Sequence, residues 1–294
     1  VRLFYDSYIS SDLIFIGDSH TEAGHVAEED TFVQLTAQRL GVVARNLGRI
    51  QYCPGEELVV LKEYGLPCEP RTVVWQICEH NDLWEQASYE QWLTADSPSI
   101  YGTLSPRIDA WKRRSPTWRL FDLCCEHDPW PFAATFTDDT GAEHRTLFGN
   151  FPSIHQCPVD HPGWRPIAAC LSEGARLLQE KNIRLVVVLI PMKIRVMGDY
   201  VTFVPETLRR MRAEWDIPDD KTFSRSLQAV CDSLQISFVD ATPHLRHLTE
   251  NGKMVFPPFD THLSPLGNKA IAAMIVPIIA GDSQKQALES SRLR

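Results

Sequence analysis

The 294-residue chain sets 38 acidic side chains against 29 basic ones, a formal charge of −9, and shows no basic patch with interleaved aromatics, which argues against a nucleic-acid partner. Apolar residues make up 44% and charged residues 23%, a globular composition with enough apolar surface for a substantial core. The longest apolar stretches, 185–191 and 270–280, fall short of the roughly 20 residues that span a bilayer, and Pro277 interrupts the second.

In chain order, Leu13-Ile-Phe-Ile16 is a short apolar run closed by Gly17, the pattern of a strand buried on both faces. Residues 31–40 carry Phe32, Leu35, Ala37 and Leu40 at helical spacing and stop at Gly41. A strand over 42–47, a helix over 55–64 with Gly65 behind it, and a strand over 72–78 continue the alternation. Later come a helix over 164–181, a strand over 184–190, a helix over 222–234 and a strand over 237–240. A last helix covers 265–280, with Ser264 as N-cap and Pro265 at its first position. Such alternation predicts an α/β fold, a doubly wound, flavodoxin-like parallel sheet with helices on both faces. Residues 85–161 break the rhythm. Rich in Pro, Trp, Asp and His, with a turn signal at Asp138-Asp-Thr-Gly141, they read as an insertion over the sheet with room for a small hairpin. The expectation is one domain over 1–294, with a disordered tail over 281–294.

Reactive groups in open parallel sheets gather at the carboxyl ends of the strands. The first strand there ends at Gly17-Asp18-Ser19-His20, the second at Asn46-Leu47-Gly48 and the third at Glu79-His80-Asn81-Asp82. Phe259-Asp260-Thr261-His262 precedes the last helix. A serine hydroxyl needs a base, and the base needs a group that fixes its tautomer. Ser19, His262 and Asp260 are of those types, and the i, i+2 spacing puts Asp260 and His262 on one face of an extended segment. The backbone N–H of Ser19, a backbone N–H after the second strand, and the Asn81 amide are the candidate oxyanion donors.

Each residue also has a structural reading. A lone Gly-Asp-Ser is an ordinary turn and cap sequence, so the case rests on the combination with Asn81, Asp260 and His262. Asp18 reads as a carboxylate holding its turn, and Asp240 as structural. His20 and His80 either shape the pocket or lie in loops. His244 and His247 read as a surface pair, Arg209, Arg210 and Arg212 as a solvated helix face, and Cys124-Cys125 and Glu126-His127-Asp128 as loop or packing residues. The eight cysteines include no CxxC pair, so no zinc or thioredoxin-like motif is indicated, and Cys78 and Cys231 read as small buried hydrophobes. No metal and no cofactor is expected.

Gly17-Asp18-Ser19, Asn81-Asp82 and Asp260-x-His262, in this order, resemble blocks I, III and V of the SGNH/GDSL hydrolase superfamily. Asn46-Leu-Gly48, Tyr64-Gly-Leu66, Val74-Trp75-Gln76 and Ile190-Pro-Met-Lys193 are similar to a bacterial subgroup. The resemblance covers 12–84 and 164–280. It implies a serine esterase in which Ser19, His262 and Asp260 form the triad and Ser19, Gln51 and Asn81 the oxyanion hole, acting on an acylated carbohydrate or small ester. Many members place glycine where Gln51 stands, and glycine alone adopts positive φ freely. Members commonly have Asp-x-x-His; the shorter Asp-x-His found here also occurs in relatives of the alginate O-acetyltransferase type. Two further readings therefore stand beside the esterase. One is an O-acyltransferase acting on a glycan. The other is a non-catalytic glycan-binding module, motivated by Gln51 and by Trp84, Trp92, Trp111, Trp118 and Trp130. The chain begins at Val1, so an upstream signal or anchor is left open, and the compartment, envelope, periplasm or cytoplasm, is unassigned, as is the oligomeric state.

Overall fold

A computed structural model describes residues 10–94, 133–148, 158–203 and 222–292. Trp111, Trp118, Trp130, Cys124-Cys125, Cys157, Glu126-His127-Asp128 and Arg209, Arg210 and Arg212 lie outside the described residues.

The main sheet has five strands, β1 (Leu13–Ile16), β2 (Ala44–Asn46), β3 (Thr72–Cys78), β6 (Arg184–Ile190) and β8 (Ser237–Asp240), in the order β2-β1-β3-β6-β8. Every neighbouring pair is parallel. This is the doubly wound arrangement, and its order reverses between β1 and β3, where the crevice of such sheets opens at the carboxyl ends. Successive side chains leave a strand on opposite faces, so the apolar runs of β1, β3 and β6 feed two cores. Phe15, Val74, Val186 and Val188 pack on one face with Phe32, Ile271 and Ile275. Ile14, Val73, Trp75 and Val187 pack on the other with Leu61, Ile167, Leu171 and Leu227.

The first face is covered by α2 (Phe32–Leu40) and α9 (Pro265–Arg292), the second by α3 (Pro54–Val60), α5 (Trp164–Glu180) and α7 (Phe223–Ser233). Thr31 caps α2 by accepting from the Gln34 N–H, and Gly41 closes it at a φ of 65°. The Phe32 N–H, an orphan donor of that helix start, reaches the Asn268 side-chain oxygen at 3.0 Å and ties α2 to α9. A π turn over Leu61–Gly65 continues α3. The last helix runs to Arg292, past residue 281 where the sequence suggests disorder; the Gln, Lys, Ala, Leu and Glu beyond Gly281 are good helix formers. Among the described residues no helix is long and apolar enough to cross a membrane.

The expected insertion is partly regular. It opens inside α4 (Asp82–Thr94), which begins before the expected break at Glu85 and shows no continuous apolar stripe, burying Asp82, Leu83, Gln86 and Ala87. A second, antiparallel sheet follows, ordered β5-β4-β7, from β4 (Ala133–Thr137), β5 (Glu143–Leu147) and β7 (Val201–Phe203). The β4–β5 turn falls on Asp138-Asp-Thr-Gly141, where Asp138 accepts from the N–H groups of Thr140 and Ala142. The short α6 (Lys193–Met197) and α8 (Thr242–Glu250), like β7, were not separately resolved by the sequence pattern.

Candidate active site

Phe15 and Ile16 are fully buried, and the chain leaves β1 through Gly17. A Cβ on Gly17 would lie 2.3 Å from the Thr21 hydroxyl and 2.5 Å from the Gln76 carbonyl oxygen, so only glycine lets the turn sit this close to β3. Asp18 caps the following turn, α1 (Ser19–Glu22), accepting from the His20 N–H at 2.9 Å. The buried Gln76 oxygen accepts from the Asp18 N–H at 3.2 Å and the Thr21 hydroxyl at 2.8 Å. This network fixes Ser19, at the first position of the turn, over the end of the sheet. Among the described residues no acceptor faces the Ser19 N–H.

Ser19 and His262 meet from opposite ends of the chain. The Ser19 hydroxyl lies 2.8 Å from His262 Nε2, and His262 Nδ1 lies 2.6 Å from Asp260 Oδ1. A carboxylate only accepts, so Nδ1 carries the proton and Nε2 is left to accept from the hydroxyl. The His262 N–H also donates to Asp260 Oδ1, at 2.9 Å. Partial burial pulls the Asp260 carboxyl upward, but the backbone and imidazole of His262 outweigh it and hold the group below the usual carboxylate value.

The loop carrying this pair is built from below. Lys193, fully buried at the start of α6, donates its ammonium to the carbonyls of Pro257 (2.6 Å), Pro258 (2.9 Å) and Asp260 (3.0 Å). Burial pulls that ammonium down to about 7, while the Asp260 charge pushes it back. From β5, the Leu147 N–H and the Thr146 hydroxyl donate to the same Pro258 carbonyl at 2.8 and 3.1 Å. Two more imidazoles crowd the His262 ring. His20 lies 5.0 Å from it, centroid to centroid, and His25 lies 4.8 Å away with Nε2 at 2.9 Å from the Leu263 carbonyl. Burial, then the neighbouring imidazoles, hold His20 well below its ordinary value, and burial followed by His262 lowers His80.

The expected oxyanion donors are arranged less simply. Asn81 stands at the head of α4, its carbonyl accepting from the N–H groups of Trp84 and Glu85. Its side-chain nitrogen donates to Asp18 Oδ2 at 3.0 Å and Glu85 Oε2 at 2.7 Å. Gln51 is exposed with a φ of 67°, so a non-glycine residue occupies the left-handed region here. The preceding loop is anchored beneath it. The Asn46 side chain donates to the Thr21 carbonyl at 2.6 Å and accepts from the Gly48 N–H at 2.9 Å, and the Arg49 N–H reaches the Gly17 carbonyl at 3.0 Å.

The remaining sequence readings fall as follows. Asp18 holds its turn as expected, and Asp240 accepts from the Thr242 N–H and the Ser224 hydroxyl. Cys78 and Cys231 are buried thiols. No cluster of three His, Cys, Asp or Glu side chains suited to a metal occurs among the described residues.

Residues 156–294 match the family described as ALGX, an SGNH hydrolase-like domain of acetyltransferase AlgX. Over that stretch the chain is similar to an SGNH hydrolase-like domain. The matched stretch includes Lys193, Asp260 and His262. None of the curated proteins matches the sequence. Among solved structures, a proposed G-D-S-L lipolytic protein from Desulfitobacterium hafniense is 11% identical over 90% of this chain and 98% of its own, with a TM-score of 0.47. An acetyl xylan esterase from Geobacillus stearothermophilus is 14% identical over 92% and 95%, at 0.48. An alpha/beta hydrolase enzyme from the metagenome of Lake Arreo, Spain, is 13% identical over 92% and 96%, at 0.48.

Sequence reasoning missed three groups around this site. His25 follows the serine turn with no motif to mark it. Glu85, one helical turn beyond Asn81, looks like any surface acid of α4. Lys193 stands in the stretch Ile190-Pro-Met-Lys193, but its role depends on a loop far along the chain, and only a lysine directly after a buried strand hinted at it.

Proposed function

We propose that the protein is a serine esterase that removes an O-acetyl or other short acyl group from a carbohydrate or small molecule through an acyl-enzyme. The observation that carries this reading is the unbroken relay from the Ser19 hydroxyl to His262 Nε2 at 2.8 Å and from His262 Nδ1 to Asp260 at 2.6 Å. His262 takes the hydroxyl proton as Ser19 Oγ bonds to the acyl carbon, and Asp260 supports the imidazolium that forms. The Ser19 N–H, the Asn81 amide and the backbone at Gln51 are the donors proposed for the oxyanion. Collapse of the tetrahedral species breaks the bond to the alcohol, which leaves with the proton from His262. Water, deprotonated by the same imidazole, then attacks the acyl-enzyme and releases the acid and Ser19. None of these steps calls on a metal or organic cofactor.

The test is hydrolysis of p-nitrophenyl acetate and acetylated sugars by the wild type and by Ser19→Ala. Loss of a triad nucleophile lowers kcat by about 10³-fold or more. Equal rates in the two proteins defeat the proposal.

A second reading is favoured by the family description and the Asp260-x-His262 spacing: the same acyl-enzyme yields its acyl group to a sugar hydroxyl in place of water. Product analysis with an added glycan acceptor separates the two, since a transferase forms the acylated glycan and releases little free acid.

A further inference from the structure

The Asn81 amide has two hydrogens, and both are committed to carboxylates. To serve a developing oxyanion, the amide must give up one of them. Asp18 is not free to yield: it is fully buried, and its other oxygen caps the serine turn by accepting from the His20 N–H. Glu85 is partly exposed, sits on the same helix one turn away, and holds Asn81 through the far oxygen of a longer side chain. The neighbourhood is acidic. Asp18 from the end of β1 and Glu56 from α3 act on Glu85, and Glu57 on α3, Asp82 on α4 and Cys78 at the end of β3 feel its charge in turn. Burial, reinforced by Asp18 and Glu56 against the Asn81 hydrogen bond, pushes the Glu85 carboxyl up to about 7.

We infer that Glu85 is a positioning residue that locks the Asn81 amide against Asp18, and that releasing this lock is what turns the amide toward the oxyanion. The inference rests on the proposed function and adds a residue to it. An ionised Glu85 accepts strongly and keeps Asn81 turned away; a protonated Glu85 is a weaker acceptor and lets the amide go. Activity therefore falls as Glu85 ionises.

Glu85→Gln keeps the shape of the side chain and removes the charge. Steady-state hydrolysis of p-nitrophenyl acetate from pH 5.5 to 9 is compared for the wild type and this variant, with the spontaneous rate subtracted. The wild type loses kcat above neutrality. The variant holds it, its descending limb displaced upward by about one pH unit or more, and KM stays within about twofold. Superimposable pH profiles overturn the inference.

A second measurement is independent of turnover: the Glu85 carboxyl is titrated by carbon NMR in the wild type and in Asn81→Ala. Removing the donor raises the Glu85 midpoint, because the Asn81 hydrogen bond favours the charged form. An unmoved midpoint overturns the lock. If Ser19→Ala hydrolyses as fast as the wild type while the Glu85 midpoint still rises, the proposed function falls and the contact between Glu85 and Asn81 stands.

Discussion

At the scale of single residues, Lys193 shows how much of the site depends on a group that touches no reacting atom. An ammonium offers three donors and the loop presents three carbonyls at 2.6 to 3.0 Å, so the fit is complete. Lys193→Met keeps the apolar stem and deletes the donors. A fully buried acceptor left without a partner costs about 1–3 kcal/mol; these carbonyls are partly buried, and Pro258 retains Leu147 and Thr146, so the loss is smaller. The expected outcome is a lower urea midpoint together with a fall in kcat of about tenfold or more at nearly constant KM. Lys193→Arg does not rescue it, because a planar guanidinium fork does not match three converging carbonyls in a filled core. An unchanged kcat in Lys193→Met would show that the loop holds His262 without the lysine. The residues of the proposed triad were legible because serine, histidine and aspartate are of the right chemical type at strand ends. Lys193, His25 and Glu85 were not, because their roles come from partners that the local sequence does not name.

Among the elements, β3 and β6 coincide with the runs read from the sequence, since strands buried on both faces are continuous apolar stretches bounded by polar residues or turns. The edge strand β2 is shorter than the expected 42–47, keeping the three residues that pair with Leu13, Ile14 and Phe15 of β1. Helix α4 was hidden because its buried residues include Asp82 and Gln86, which break the apolar spacing. It is nevertheless the element that presents Asn81, and its start is wedged against α5. A Cβ on Gly163, just before α5, would lie 2.0 Å from the Leu83 carbonyl oxygen, a backbone atom with no rotamer to change. Gly163→Ala therefore has to displace α5 from the first turn of α4. The expected cost is about 1–3 kcal/mol in chemical denaturation, with kcat lowered because Asn81 moves. Gly24→Ala is the control: nothing lies within 4 Å of its added Cβ, and its midpoint stays within about 0.5 kcal/mol of the wild type. Equal stability of the two variants would show that this junction is loosely packed.

For the molecule as a whole, the acids buried behind the serine turn tie stability to pH. Glu57 and Asp82 are almost fully buried, and burial, reinforced by neighbouring carboxylates, pushes both well above the usual range. Among the described residues Glu57 Oε1 and Asp82 Oδ1 find no hydrogen-bond partner, which suits carboxyls that keep their protons. The folded state thus binds protons that the unfolded chain releases near pH 4.5, so the contribution of these groups is complete below that pH and is lost as pH rises toward their folded values. Each such carboxyl removes about 1.4 kcal/mol per pH unit across that window. His20 and His80 work in the opposite direction, since burial lowers their folded values and the unfolded chain takes up their protons below about 6.5. Above neutrality those two histidines are neutral in both states, while Lys193, pulled down to about 7, sheds a proton that the unfolded chain keeps and so opposes the acids as pH rises. Glu57→Gln keeps an oxygen to accept from the Trp75 indole, now at 2.7 Å, and no longer has a proton to lose. Thermal melts from pH 7 to 8.5 should therefore show a melting temperature that falls less, or rises more, with pH in the variant than in the wild type. Parallel curves would mean that Glu57 is already ionised in the folded protein, and that the buried acids are balanced by a charge rather than by protons.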